Sequence, residues 1–418
     1  MIRALYWASV SALAYSYIVY PLVVLARGAI VRRPHLEAEV HPSVTVVVAA
    51  HNEAARIERK LRSVLAQDYP ANRLEVIVAS DGSDDGPPGV VAGLRRARVR
   101  VLDLPRIGKG EALAAAVAAA RGEVLVFSDA NSILASDAIG RLVRPFADPA
   151  IGGVAGNQVY VEAGDEEATA VGERSYWDFD RALKVAQSRS GNVIGATGAL
   201  YAIRRSLFRP IPEGVNDDLF TSLAVVDAGY RLVFEPGAVA YERVAPTQSL
   251  EYRRRVRIMT RGLRCVAALP AVLDPRRTGF YALQVLSQKV LMRTMAVPLA
   301  VLALASGPLY RRTAIYRLAA WGQLVSYALA AAGLVMGRRA VGRHPVLALP
   351  AYFCTLQMAS LHATWNLLRG RSLDRWEPER GQAAEPEGLA AGEGTPAGAE
   401  RDAIAEHDAL AERDGLAA

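Results

Sequence analysis

Three short apolar runs each end in a cluster of carboxylate, amide and hydroxyl side chains. The clusters are His51–Glu53 (HNE), Ser80–Gly86 (SDGSDDG) and Ser128–Ser132 (SDANS). Carboxylates accept strong hydrogen bonds from N–H and O–H groups, and carboxylate and amide oxygens are ligands of hard divalent cations. Each cluster alone is typical of a turn, because Asp, Asn and Gly are common turn residues. Three such clusters, each at the end of an apolar run, favour one polar ligand site.

The residues at these positions exclude several other chemistries. A dinucleotide-binding fold has a glycine-rich turn after its first strand, whereas residues 51–56 are HNEAAR. The sequence also lacks a GxxxxGKS or GxxxxGKT phosphate-binding loop. The two cysteines, Cys265 and Cys354, lie far apart in the chain. This spacing excludes a disulfide scaffold or a cysteine zinc site and fits a reducing compartment.

Alternating strand and helix patterns predict the elements that position the polar clusters. The predicted strands are Ser43–Ala50, Leu74–Ala79, Val99–Leu104 and Val124–Ser128, and the predicted helices are Ala54–Gln67 and Gly110–Ala120. Such alternation is typical of an α/β fold with a mostly parallel sheet and right-handed crossovers. Ligands of these sheets bind outside the carboxyl ends of the strands, where the three clusters lie.

Long apolar runs at both ends of the chain predict helices that cross a membrane, which needs about 20 residues. The runs are Ala4–Ala26, Val290–Ser306, Ile315–Met336 and Val346–Leu368. Buried core helices are the alternative for the late runs, and a signal peptide for the first. Arg27, Arg32 and Arg33 after the first run favour a cytoplasmic anchor instead. Four spans would put the arginines of residues 311–317 outside, so one late segment could lie in the interface.

Charge is distributed unevenly along the chain, and the formal net charge of +7 hides this. Residues 246–280 are rich in arginine with interleaved apolar residues, which predicts a basic amphipathic segment on an anionic membrane face. We expect no nucleic-acid partner, because apolar runs flank this segment. Residues 377–418 contain 11 acidic and three basic residues and few large apolar ones, which predicts a disordered acidic tail.

The order of the motifs resembles that of the family 2 glycosyltransferases, and more narrowly their membrane-embedded branch, which includes polysaccharide synthases. The motifs are AAHNEAARIERKLRSVLAQDYP, VIVASDGSDDG, FSDANS, NVIGATGALYAIRRSLF and NDDLFTSLAVVDAGYRLVFEP. The resemblance covers roughly residues 40–264. It implies a GT-A fold over residues 40–245, a transmembrane anchor at 1–30 and two or three spans within 281–370. It also implies a nucleotide-sugar donor, expected to be a UDP-sugar, and a divalent metal, Mg²⁺ or Mn²⁺.

The resemblance assigns four residues to donor binding through the nucleoside or its surroundings. Glu53 and Asp81 match positions that hold the nucleoside, Asn52 is expected to bind the donor beside Glu53, and Lys109 matches a lysine near the donor. Carboxylates there can accept hydrogen bonds from a base N–H and from ribose hydroxyls. The alternatives are a helix-start charge for Glu53, a turn residue for Asp81 and a surface lysine for Lys109.

Asp129 and Asn131 match the family's D-x-D motif, which binds the donor and the metal. A hard divalent ion needs oxygen ligands, and with a carboxylate it neutralises the donor diphosphate. Asn131 departs from the commoner carboxylate. Its amide oxygen can bind a metal but adds no negative charge.

Asp217 and Asp218 match the family's catalytic acidic motif, with Asp218 at the position of the catalytic base and Asp217 in support. General-base catalysis requires one carboxylate to accept the proton of the acceptor hydroxyl. The alternative is a pair of helix N-cap residues before Leu219. Gly195, Thr197 and Gly198 precede a predicted strand, and the two glycines permit close backbone approach, which favours contact with the acceptor sugar. A simple tight turn is the alternative.

Residues 252–258 (YRRRVRI) stand where processive family members carry Q-x-x-R-W. Arg254 occupies the Gln position, Arg257 the Arg position and Ile258 the Trp position. The resemblance therefore implies a diphosphate contact for Arg254 and Arg257 and gives no support to processive chain growth. Trp177 could stack on a sugar, although we expect it to pack in the core or at an interface.

These observations predict an inverting glycosyltransferase anchored in the cell's inner membrane by several spans, with its catalytic domain in the cytoplasm. The partners would be a nucleotide-sugar, a glycan or lipid-linked acceptor, and the lipid bilayer. Transfer of a sugar to a polyprenyl phosphate is one alternative. A non-catalytic membrane scaffold with a degenerate transferase domain is an alternative of another class.

Overall fold

The apolar, β-branched runs form one mixed sheet in this computed structural model, which describes residues 1–85, 98–161, 168–243, 248–337 and 340–371. The strands are β1 (Val44–Ala50), β2 (Leu74–Asp81), β3 (Val99–Leu104), β4 (Val124–Phe127), β5 (Ile133–Leu134), β6 (Ile151–Val161), β7 (Tyr201–Arg204) and β8 (Arg231–Arg243). Neighbours follow the order β3-β2-β1-β4-β7-β6-β8-β5. All strands except β5 and β7 run in one direction, so the predicted mostly parallel α/β sheet is confirmed.

Helices connect and cover the strands. They are α1 (Ile2–Ala14), α2 (Tyr20–Ile30), α3 (Ala54–Leu65), α4 (Lys109–Ala119), α5 (Ala138–Val143), α6 (Ala168–Ser190), α7 (Asp217–Asp227), α8 (Gln248–Ala268), α9 (Pro275–Thr278), α10 (Phe280–Val285), α11 (Ala296–Leu309), α12 (Ala314–Met336) and α13 (Pro345–Leu368). π-helical turns lie at Tyr15–Val19 and Leu286–Val290, and 3₁₀ turns at Ala71–Arg73, Arg144–Ala147, Arg205–Leu207, Pro270–Leu273, Leu291–Thr294 and Ala340–Arg343.

Alternate residues of the strands supply two apolar cores, one on each face of the sheet. In β1, Val47 belongs to one core, whereas Val46 and Val48 belong to the other. All three are fully buried, and each such side chain contributes roughly 1.5–3 kcal/mol through burial. With its faces covered, the sheet leaves the carboxyl ends of β1, β2 and β4 as the edge where polar residues collect.

Three helical segments are long and apolar enough to cross a membrane, namely Ile2–Ile30, α12 and α13, in the part of the chain that the structure describes. Phe280–Thr294 and Ala296–Leu309 would form a fourth if this pair, bent by 47°, is one span. Pro298 lacks the N–H that would bond the carbonyl of Thr294, which favours a bend there. Leu318 and Val335 of α12 expose 73% and 85% of their surface, as expected of side chains that face lipid.

The apolar helices pack directly against the sheet domain. α6 contacts α2 and α13, and α8 contacts α13 and α7. Gly28 of α2 permits a close approach, since a Cβ there would lie 2.6 Å from the Cα of Ala186 in α6. The domain boundaries predicted from the sequence stay predictions, and the predicted acidic tail, residues 377–418, lies outside the described residues.

Candidate active site

Two carboxylates, one after a strand and one at the start of a helix, meet at a lysine that begins another helix. Lys109 begins α4, Asp129 follows β4 and Asp217 begins α7. The Lys109 Nζ lies 2.9 Å from Asp129 Oδ1 and 3.0 Å from Asp217 Oδ2. Burial alone lowers the pKa of Lys109, but the two carboxylates outweigh it and raise that pKa above its usual range. Lys109 is therefore protonated, and three residues singled out from the sequence form one charged cluster.

Asp218 lies next to this cluster in the first turn of α7. Burial and the neighbouring Asp217 raise the pKa of Asp218 to about 6, against the opposing charge of Lys109. Its Oδ1 accepts a hydrogen bond of 2.6 Å from the backbone N–H of Leu219. A carboxylate with a pKa near neutrality is suited to accept a proton. The alternative of an aspartate N-cap pair is wrong, because α7 begins at Asp217 and Asn216 occupies the N-cap position.

Asp129 is positioned by the backbone of Gly198. The Asp129 N–H donates to the Gly198 carbonyl at 2.9 Å. A Cβ at Gly198 would lie 2.5 Å from Asp129 Oδ2, so only glycine leaves room for this carboxylate. Burial raises the pKa of Asp129, but Lys109, with Lys60 and Arg254, outweighs it and holds the pKa below its usual value. Asp129 is therefore an anion held beside cations.

The side-chain amide nitrogen of Asn131 is bonded to a buried glutamate. Its Nδ2 donates to Glu242 Oε1 at 2.7 Å, and Gln158 donates to the other oxygen of Glu242. Glu242 is buried and also lies 3.7 Å from the Nη2 of Arg254. With its nitrogen bound to Glu242, Asn131 keeps its amide oxygen as the group that could bind a cation.

Asp129 and Asn131 are suited to bind a divalent cation that is also bound by a diphosphate. The described residues hold no group of three or more His, Cys, Asp or Glu side chains placed to bind a metal. Mg²⁺ at phosphate sites commonly uses one or two carboxylates together with substrate phosphates, so a full protein cage is unnecessary. Asp129, whose side chain is 35% exposed, and Asn131 two residues later supply such oxygens.

Asp81 anchors the loop that leads to Lys109. It is fully buried at the end of β2, and its Oδ1 accepts hydrogen bonds from the backbone N–H groups of Ile107 (2.7 Å) and Gly108 (2.9 Å). Its Oδ2 is buried without a hydrogen bond among the described residues and lies 3.5 Å from the Nη1 of Arg106. Asp81 therefore connects the second strand end to the lysine cluster.

Asn52 and Glu53 lie at the first strand end, next to the loop after β2. Asn52 adopts a left-handed backbone conformation, with φ of 53°, and its Oδ1 accepts a 2.9 Å hydrogen bond from the Asp84 N–H. Glu53 precedes α3 and pairs with Arg56 at 3.1 Å. The structure thus brings these residues to the same edge as Asp81.

The predicted acceptor segment lies against Asp129 and the first turns of α7. Gly195 faces Leu219, which would lie 3.0 Å from a Cβ at this position. The Thr197 Oγ1 is buried and has no hydrogen-bond partner among the described residues. Gly198 contacts Asp129 and therefore shapes the space around that carboxylate.

The predicted arginine pair lies on α8, which is fixed to the start of α7. The Nη2 of Arg254 donates to the Tyr160 hydroxyl at 3.2 Å, and Arg257 lies half-buried one turn later. The Asn216 Nδ2 donates to the Ile258 carbonyl at 3.0 Å. The basic helix is therefore joined to the helix that carries the catalytic candidates.

The sequence analysis did not single out two charged residues of the site, Lys60 and Glu242. Lys60 is fully buried, and its Nζ donates to Ser128 Oγ and, at 2.8 Å, to the Ser132 carbonyl, on either side of Asp129. Burial lowers the pKa of Lys60 to about 7. Its position on the apolar stripe of α3, between Ile57 and Leu61, was a usable signal. Glu242 gave no such signal, because only the pairing of β8 with β6 brings it to the site.

Residues 45–211 match the family described as Glycosyl transferase family 2. An N-acetylglucosaminyltransferase of Rhizobium meliloti (strain 1021) is 29% identical over 247 residues, which are 55% of this chain and 58% of that protein. One of Mesorhizobium japonicum is 30% identical over 234 residues, covering 52% and 55%. The chain thus spans little more than half the length of these relatives.

A solved structure of similar fold covers more of the chain. It is a mannosyltransferase from Pyrobaculum calidifontis in complex with GDP-Man and Mn²⁺. The likeness has a TM-score of 0.66 at 25% identity and covers 89% of this chain and all of that one. The shared architecture therefore extends beyond the sheet domain.

Proposed function

Because the chain carries a family 2 glycosyltransferase domain with the GT-A fold, we propose that it transfers a sugar, with inversion, from a nucleotide-sugar to a hydroxyl group. The acceptor is a glycan or a lipid-linked saccharide. The observation that carries this proposal is the cluster in which Lys109 joins Asp129 to Asp217, with Asp218 beside it. Anion-binding and proton-accepting groups thus lie within one site.

Asp218 is the general base of the proposed reaction. Its carboxylate accepts the proton of the acceptor hydroxyl while that oxygen bonds to the anomeric carbon of the donor. The bond from this carbon to the diphosphate oxygen breaks, and the nucleoside diphosphate leaves. The ion pair between Lys109 and Asp217 holds the two adjacent aspartates in place. Lys109 also keeps a positive charge where negative charge develops in the reaction.

The donor occupies the edge of the sheet formed by the carboxyl ends of β1, β2 and β4. Asn52, Glu53 and Asp81 hold the nucleoside, and Asp129 with Asn131 hold a divalent metal. Arg254 and Arg257 contact the diphosphate. When bound, the metal neutralises the charge of the leaving diphosphate. The Mn²⁺ and nucleotide-sugar of the archaeal mannosyltransferase support this assignment.

The similar proteins differ in the nucleotide-sugar that they indicate as donor. The relatives named N-acetylglucosaminyltransferase favour a UDP-linked N-acetylhexosamine, whereas the structural neighbour was solved with GDP-mannose. We propose a UDP-sugar used at the cytoplasmic face of the inner membrane. The arginines after α2 support this orientation through the positive-inside rule.

The test measures nucleotide diphosphate release from a panel of UDP- and GDP-sugars by membranes that carry the protein. Asp218→Asn keeps the shape of the side chain and removes its basicity, so we expect turnover to fall by roughly 10²–10⁴-fold. Asp137→Asn, at an exposed surface pair with Arg141, is the matched control and keeps normal turnover. Equal turnover by Asp218→Asn contradicts the base assignment and favours a phosphate acceptor. The absence of release from every donor contradicts the proposed activity.

A further inference from the structure

A pocket of about 140 Å³ lies beside the candidate active site, between the end of β6 and α6. On the same measure a single water needs roughly 10–15 Å³, so the pocket has room for a small organic ring. Its wall on α6 includes Trp177, Asp180 and Lys184, and its wall on β6 includes Gln158 and Tyr160. The proposed donor residues lie outside this lining.

One layer of side chains joins the pocket to the residues proposed to bind the metal and the diphosphate. The Tyr160 hydroxyl accepts a hydrogen bond of 3.2 Å from Arg254, and Gln158 donates to Glu242. Glu242 in turn accepts from Asn131. A ligand in the pocket would therefore lie next to the metal and diphosphate site without occupying it.

The lining combines two aromatic rings with charged hydrogen-bonding groups. The rings of Tyr160 and Trp177 have centroids 5.5 Å apart and are tilted by 53°. Lys184 lies 5.5 Å from the centroid of the Trp177 ring and 2.9 Å from Asp180 Oδ2. A pyranose ring has apolar C–H faces and a rim of hydroxyls, so an aromatic face and a fixed ion pair complement it.

Burial fixes the ion pair in place. Lys184 is 8% exposed, and an ammonium at this depth needs its partner and the aromatic faces to offset the loss of hydration. Of the three donors of the ammonium, Asp180 accepts one in the part of the chain that the structure describes. A hydroxyl-rich ligand could bond to both members of the pair with little rearrangement.

The helix that forms one wall also contacts the membrane helices. α6 packs against α2 and α13, and Leu183 and Ala186 of α6 form an apolar cluster with Tyr20 and Val24 of α2. A saccharide attached to a lipid would reach the active site from this side, because its lipid stays in the bilayer.

We propose that this pocket, lined by Tyr160, Trp177, Asp180 and Lys184, binds a pyranose ring of the acceptor. Its description as an acceptor site rests on the proposed function. The ring stacks on Trp177, and the Asp180–Lys184 pair bonds to its hydroxyls. The site thereby holds the acceptor beside the donor while the catalytic aspartate works on the terminal hydroxyl.

The test is saturation-transfer NMR with the full chain in lipid nanodiscs and two soluble probes, methyl N-acetyl-β-D-glucosaminide and methyl β-D-glucoside. UDP and Mn²⁺ are present throughout to fill the donor site. We expect saturable binding of at least one probe to the wild type. Trp177→Ala and Asp180→Asn should each weaken it at least about tenfold, and Trp177→Phe should restore most of it.

The matched control is Phe179→Ala, which changes an exposed aromatic residue of the same helix that does not line the pocket. It should bind the probes as the wild type does. Absence of probe binding to the wild type, or equal binding by Asp180→Asn and the wild type, would overturn the proposal. Nucleotide diphosphate release from donors is measured separately, so a failed pocket and a failed transferase assignment give different results.

Discussion

Replacing Gly198 by alanine tests whether the position of Asp129 controls the reaction. The new Cβ would lie 2.5 Å from Asp129 Oδ2 and 3.1 Å from its Cγ, whereas ordinary contacts are 3.4–4 Å. The backbones cannot separate freely, because the Asp129 N–H bonds the Gly198 carbonyl at 2.9 Å. The carboxylate must therefore move by about 1 Å, and a shift of this size in a positioning group can lower a rate about 100-fold.

The strain falls on a side chain rather than on packed backbone, so we expect a large loss of activity with a small loss of stability. A rate lower by about 100-fold corresponds to about 2.7 kcal/mol of transition-state stabilisation. Nucleotide release at saturating donor, together with a Mn²⁺ titration, measures the loss of activity, and thermal unfolding measures the loss of stability. Gly191→Ala is the control, because its Cβ meets nothing within 4 Å. Equal activity of the two variants would refute the positioning of Asp129 by Gly198.

Three further predictions concern charged residues of the site. Because the base must be deprotonated and the pKa of Asp218 is raised to about 6, turnover should fall as pH drops through 6, and a flat profile between pH 5 and 8 would contradict this. Lys109→Met removes the cation that lowers this pKa, so the acid limb of its residual activity should move to higher pH. Lys60→Met leaves the Ser132 carbonyl without its donor and should lower the free energy of unfolding by roughly 1–3 kcal/mol. The exposed Arg59→Met on the same helix should leave the denaturant midpoint unchanged, and equal midpoints for both variants would count against this role of Lys60.

The sequence predicted the parallel half of the sheet closely, because local patterns carry that information. β3 has the predicted bounds, and β1 and β4 differ from the predicted strands by one residue. The start of α7 was placed two residues too late. Two adjacent aspartates are typical of a cap, and the preference of Asp for the first helical turn is nearly as strong as for the cap itself.

The order of the far strands could not be read from the sequence. β6 pairs with β8 in parallel and with β7 in antiparallel fashion, although β7 and β8 follow one another in the chain. Strand order depends on which faces pack together across long loops, and a single sequence contains no direct measure of this. Consequently the contribution of Glu242 and the pocket beside Tyr160 could not be predicted.

The sequence by itself determined which polar residues stand at the strand ends and in which order the motifs follow, because both are local properties. It singled out Asp81, Lys109, Asp129 and Asp218 as candidates, and it indicated apolar helices at both ends of the chain. Only the tertiary structure decided how these groups modify one another. The pKa of Asp218 depends on burial and on Asp217 and Lys109 together, and the place of Asp129 depends on Gly198, which lies 69 residues further along the chain. Electrostatic and steric effects act through space, so their strength follows distances that the fold alone sets.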